Sequence, residues 1–196
     1  MKIGIIREGK TPPDKRVPFT PQQCKLIVDT YPGVELFIEK SPIRAFSDAE
    51  YEALGLKIVE DLTHVDLIFG VKEVNIEDLI PNKTHFFFSH TIKEQPYNRD
   101  LLQAVIDKNV QLLDYEVLTE PNGRRLVGFG RYAGIVGTYN AFIAHAVRTG
   151  KYTLKPANKC EDRKELESEL PKISLPKNYK IALTGLGRVA GGSIEI

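Results

Sequence analysis

Short apolar runs that alternate with longer stretches of helical period constrain this chain most. Residues 2–6, 34–38, 65–71, 84–89 and 110–114 have the length and the β-branched or aromatic content of strands, while residues 21–31, 47–54 and about 97–108 repeat apolar positions at helical spacing. A helix between successive strands is the connection that parallel pairing needs, and a parallel sheet must be covered on both faces. The sequence therefore predicts an α/β fold, doubly wound around a mostly parallel, Rossmann-like sheet over residues 1–131. Turn signals punctuate the elements: Pro32-Gly33, Pro81-Asn82 and Pro121-Asn122-Gly123.

Beyond that unit, small and apolar residues over 132–149 predict a long buried helix that Gly150 ends. Residues 151–178 are charged and contain Pro156, Pro171 and Pro176, which suits a solvated connector with one short helix near residues 162–170. With the helix they form an inter-domain segment, residues 132–178. A new strand is expected at residues 179–184, opening a second Rossmann domain of which residues 179–196 are the first βα element.

Several function classes are set aside by composition. With 27 Lys and Arg against 26 Asp and Glu, no net field draws the chain to nucleic acid or to an anionic membrane. The apolar stretch at 133–147 is too short to cross a bilayer and holds Thr138, Asn140 and His145. Cys24 and Cys160 have no metal-ligand spacing, no pair of histidines does either, and no secretory leader opens the chain, so a cytoplasmic protein without a metal is expected.

Two places carry chemistry. Gly185-Leu186-Gly187-Arg188-Val189-Ala190 follows the expected strand and fits G-x-G-x-x-A: one glycine for the turn, one for close approach to a pyrophosphate, and a small residue for packing. The acidic residue that reads a ribose belongs about 20 positions later, so NAD and NADP are not distinguished. The other place is the carboxyl edge of the sheet, where Arg7, Glu8, Lys72, Glu73, His90 and Glu116 each follow a strand. Amine, imidazole and carboxylates gathered there suit proton transfer. Strands also end in charged residues wherever they emerge into water.

The motifs together resemble a known family. Val71-Lys72-Glu73, Phe87-Phe88-Ser89-His90-Thr91-Ile92-Lys93-Glu94-Gln95, Leu113-Asp114-Tyr115-Glu116, the stretch from Gly123-Arg124-Arg125 through Phe129-Gly130 to Tyr132-Ala133-Gly134, and Gly185-Leu186-Gly187-Arg188 resemble saccharopine dehydrogenase (lysine-forming) and the lysine-ketoglutarate reductase domain. The Arg16 to Pro21 segment resembles the family's R-x-x-L-T-P opening, with Phe19 for Leu. The wider superfamily of alanine dehydrogenase and the transhydrogenase nucleotide-binding subunit shares the opening, the lysine and the histidine.

The resemblance implies a reversible oxidation, linked to NAD or NADP, of the secondary amine that joins lysine to 2-oxoglutarate. Lys72 matches the general base and His90 the acid-base group for hydration and collapse of the carbinolamine. Arg16, Gln95, Arg125 and Phe129 match substrate contacts, and Lys93 adds a cation for the substrate's carboxylates. Glu73 and Glu116 match groups that tune the site, Arg124 a cofactor contact, and Gly185, Leu186, Gly187, Arg188 and Val189 the cofactor turn. The expected partner is a small molecule, saccharopine or lysine plus 2-oxoglutarate, and an oligomer is compatible with the sequence. Family members carry a complete second domain, so the chain is expected to be either the front part of such an enzyme or a natural truncation of one, inactive alone. An alanine dehydrogenase-like amino-acid dehydrogenase and a non-catalytic module that binds an amino acid or dicarboxylate are the competing readings.

Overall fold

Six short strands lie side by side in one sheet in the computed structural model, which describes all residues from Met1 to Ile196. The strands β1 (Lys2–Ile5), β2 (Glu35–Glu39), β3 (Lys57–Val59), β4 (Leu67–Phe69), β5 (Thr84–Phe87) and β6 (Gln111–Asp114) run in the order β3-β2-β1-β4-β5-β6, every pair parallel. Helices α1 (Pro21–Thr30), α2 (Asp48–Glu52) and α3 (Arg99–Asp107) make crossovers. Strand order reverses between β1 and β4, and at such a switch point the chains leaving the carboxyl ends diverge and open a crevice.

The period of two along the strands sorts the core into two layers. Leu36 and Ile38 pack with Ile5, Cys24, Tyr51 and Leu56 on one face, while Phe37 and Ile68 pack with Leu62, Val65, Leu79, Phe87, Leu101 and Val105 on the other. Helix α1 starts where the sequence dictates: Pro21 takes the first helical position, and Thr20 and Gln23 exchange side-chain bonds with each other's backbone N–H at 3.3 and 2.9 Å. The doubly wound parallel sheet is as the sequence predicts. Strand β3, three residues at the sheet edge, is an addition to it.

The chain divides into two compact units, Met1–Val127 and Gly128–Ile196. The second is helical: α4 (Gly130–Thr149), α5 (Arg163–Glu169) and α6 (Arg188–Ile194), with Gly150 in the left-handed region ending α4. Helices α4 and α6 touch through glycine. A Cβ on Gly134 would lie 1.9 Å from the Val189 carbonyl oxygen, and one on Gly192 would lie 1.9 Å from that of Arg131. A fork from Arg131 to Glu195, at 2.6 and 2.7 Å, ties the same two helices.

Two expectations for this unit are corrected. Residues 179–184 are not a strand: no chain segment pairs with them, so no ladder forms, and Ile181 and Leu183 stay exposed. Nor is α4 buried all round. Gly134, Ile135, Tyr139 and Ala146 form one covered stripe against α6 and the Leu154–Leu166 cluster, while Val136 and Val147 face outward because nothing packs on that side.

Candidate active site

The segments leaving β1, β4, β5 and β6 converge at the carboxyl edge of the sheet, where Lys72, Glu73, His90 and Glu116 meet, while Arg7 turns instead to Glu39 at 3.9 Å. Lys72, three residues past β4, places Nζ 2.7 Å from His90 Nε2. His90, three residues past β5, has its other ring nitrogen, Nδ1, 2.9 Å from Glu116 Oε2. Glu116, two residues past β6, accepts from Lys93 Nζ at 3.1 Å and from Arg125 at 3.3 Å on its second oxygen. Glu73 stands 3.9 Å from His90 Nε2 and accepts from Lys10 Nζ at 2.7 Å.

One proton arrangement satisfies these partners. With Nδ1–H donated to Glu116, Nε2 is left to accept from Lys72 Nζ, and Lys93, 3.0 Å from Nδ1, turns an N–H to Glu116 instead. The ring thus bridges a base candidate and a carboxylate that stabilises its charged form.

The carboxylates differ in environment. Burial raises the Glu116 pKa, but the hydrogen bonds from His90 and Lys93 outweigh it and hold the carboxyl below its ordinary value. Glu73 is likewise lowered: burial opposes the shift, and Lys10 and a backbone N–H overcome it. Glu8 is raised, because burial dominates although it accepts from the backbone N–H groups of Val71 at 2.7 Å and Lys72 at 3.0 Å. Those two bonds span the β1/β4 switch point and fix the start of the Lys72 loop.

The remaining candidates are distributed more widely. Arg16 pairs with Asp14 through Nε at 2.9 Å, and its charge also acts on Glu8 and Glu73. Gln95 is exposed and accepts from the Tyr97 hydroxyl. Arg124 points away to Glu120 at 3.6 Å, on a turn closed by the Thr119–Arg125 bridge. Phe129 and the glycine turn belong to the second unit, where Phe129 precedes α4 and Gly185, at φ +92°, leads through exposed Leu186 into α6, where Arg188 and Val189 stand. A cleft of about 320 Å³ bounded by Lys10, Glu73, Tyr97 and Asn98 opens beside the cluster.

Sequence reasoning missed Lys10, Asp14, Ser89 and Asp114 as contributors. Lys10 and Asp14 lie in an irregular loop without periodicity. Ser89 and Asp114 lie inside the recognised motifs, but their role is visible only in the hydrogen bonds they make.

Comparison with known proteins gives a consistent picture. A family described as "Alanine dehydrogenase/PNT, N-terminal domain" matches residues 4–136. Mouse mitochondrial alpha-aminoadipic semialdehyde synthase is 40% identical over 146 residues, covering 74% of this chain and 16% of that protein. The saccharopine dehydrogenase [NAD(+), L-lysine-forming] of Yarrowia lipolytica is 34% identical over 211 aligned positions, covering 100% of this chain and 56% of that protein. The chain thus spans a small part of the first relative and little more than half of the second. Among solved structures, an L-alanine dehydrogenase superposes with a TM-score of 0.62 at 20% identity, over 78% of this chain and 43% of that one. A transhydrogenase from Sinorhizobium meliloti superposes with 0.60 at 16% identity, over 78% and 45%. At such identities these two structures speak for the fold alone.

Proposed function

Since the chain belongs to the alanine dehydrogenase/PNT N-terminal domain family, we propose that it is the substrate-handling part of a nicotinamide-dependent oxidoreductase that makes or splits the secondary amine of saccharopine. The observation that carries this reading is the 2.7 Å contact between Lys72 Nζ and His90 Nε2 at the switch point, backed by Glu116. Reversible chemistry at a C–N bond moves a proton on nitrogen and another on oxygen, and two adjacent acid-base groups supply both. Lys72 exchanges a proton with the substrate nitrogen. His90 passes protons through Nε2 to and from water or the carbinolamine oxygen, and Glu116 across the ring stabilises the imidazolium.

Lys93 and Arg125 stand half exposed around Glu116, and Arg16 lies near Glu73, so cations surround the acid-base pair. Saccharopine has three carboxylates and alanine one, and paired donors of this kind suit the former. Exposed Gln95 completes the proposed substrate contacts of this unit.

NAD or NADP would supply or accept the hydride when bound. The residues of the glycine turn fit such a group: Gly185 bends the chain at positive φ, and around Gly187 no heavy atom lies within 4 Å of where a Cβ would stand, so the backbone is open to a pyrophosphate. Arg188, at the start of α6, is its proposed cationic contact. The cytoplasm is the proposed location.

Steady-state assays of the full-length protein test the reading. Lysine with 2-oxoglutarate and NADH or NADPH should turn over far faster than pyruvate with ammonia. The reverse preference would assign the site to alanine-type chemistry.

A further inference from the structure

Beneath the Lys72–His90–Glu116 row lies a carboxylate that the chemistry above does not use. Asp114, the last residue of β6, is buried, and three donors converge on it. Its Oδ2 accepts from the Ser89 backbone N–H at 3.1 Å and from the Ser89 hydroxyl at 2.5 Å, while Oδ1 accepts from the Glu116 N–H at 2.7 Å. One side chain therefore grips the residue before His90 and the backbone of Glu116, on two adjacent strands paired Phe87 to Asp114.

The turn it holds needs holding. His90 has φ +56°, a left-handed conformation that a non-glycine residue keeps only when its surroundings enforce it. Ser89 extends the grip, since its Oγ accepts from the Thr91 N–H at 3.1 Å and lies 2.8 Å from the Thr91 hydroxyl. Lys93 and Arg125 reach the Glu116 carboxylate from side chains about 45% exposed, whereas Asp114 holds its backbone from a buried position.

We propose that Asp114 is a positioning residue that sets the His90–Glu116 contact and, through it, the tautomer in which His90 presents a bare Nε2 to Lys72. The inference rests on the proton-transfer reading of Lys72 and His90. A carboxylate suits the task because all three partners are donors and an ionised acceptor binds them most strongly. An amide would accept on one oxygen and turn an N–H toward another N–H. The charged groups facing His90 are Lys72 and Glu73 from the β4 side, Lys93 from its own turn and Glu116 from the β6 side.

Nitrogen NMR of the ring atoms, on the 196-residue chain labelled at histidine, tests this without any assay of turnover. Neutral His90 should carry its proton on Nδ1. In Asp114→Asn the two ring nitrogens should move toward one another as the tautomers mix, while His64 and His145 keep their signals. Ser89→Ala, which removes one of the three arms, should give a smaller change in the same direction. It decides the question if Asp114→Asn does not fold. A proton on Nε2 in the unmodified chain, or unchanged His90 ring signals in the folded variant that decides, would overturn the proposal.

A second readout separates it from the functional reading. In the full-length enzyme Asp114→Asn should lower kcat about tenfold or more, with KM for 2-oxoglutarate within about twofold. Absence of saccharopine turnover in the unmodified enzyme would sink the functional reading and leave the ring-nitrogen result standing.

Discussion

His90 and Glu116 come from neighbouring parallel strands, yet their side chains meet at 2.9 Å between Nδ1 and Oε2, leaving Nε2 to face Lys72 at 2.7 Å. The imidazole is thereby polarised along one line from amine to carboxylate. Removing either end should show in the rate. Lys72→Met and His90→Gln should each cost roughly a hundredfold to ten-thousandfold in kcat of the full-length enzyme, and each should delete a different limb of the pH profile. Wild-type turnover with an unchanged profile in either variant would remove that residue from the mechanism.

Arg125 reaches Glu116 at 3.3 Å with its side chain about 45% exposed, so its guanidinium is reachable from solvent at the edge of the cluster. Arg125→Ala should raise KM for 2-oxoglutarate or saccharopine by roughly tenfold or more, the worth of a charge-assisted bond, and leave KM for the nicotinamide nearly unchanged. Equal effects on both constants would speak for a general loosening of the turn.

His85 offers a stability test apart from the chemistry. It is fully buried in β5, and burial, only partly offset by the Ile80 backbone, pushes its imidazole down to about 4. The unfolded chain, at an ordinary value of about 6.5, binds this proton first. The His85 contribution is therefore complete above about pH 6.5 and is lost as pH falls toward 4, amounting to about 3 kcal/mol. Glu8 acts with the opposite sign, because its raised pKa favours folding most below the ordinary carboxylate value and the benefit declines as pH rises through the shifted one. Denaturant midpoints of His85→Leu against the unmodified chain isolate the histidine: the difference between the two curves should change between pH 4 and 6.5 and be flat above. A constant difference across that window would contradict this.

The glycine contact of α4 and α6 gives a paired prediction. Gly134→Ala places a methyl 1.9 Å from a carbonyl oxygen, whereas at Gly137, on the same helix, nothing lies within 4 Å. The first should destabilise the second unit by about 1–3 kcal/mol or more, as overpacking does. The second should stabilise it by up to about 1 kcal/mol through helix propensity. Chemical denaturation followed by circular dichroism checks both, and a stabilised Gly134→Ala would refute the close contact.

Much of the fold was legible because each early strand is an apolar run bounded by turns, and parallel pairing sends all of their ends to one edge. That rule found Lys72, Glu73, His90 and Glu116 without coordinates. It missed Lys57–Val59, too short to show a period. It misread residues 179–184, whose pattern is that of a strand but whose ladder needs a partner that none of these residues supplies. Lys10, Ser89 and Asp114 escaped for another reason: they act by hydrogen bonds to other residues' atoms, and spacing along the chain does not encode them.

The strand order of the first unit is that of a dinucleotide-binding sheet, which ordinarily presents free backbone N–H groups to phosphate where the order reverses. Here Glu8 fills that role from within, its two oxygens occupied by the N–H groups of Val71 and Lys72. An incoming phosphate would find these two donors already engaged. The switch point of this unit therefore offers a phosphate less than its strand order alone would suggest.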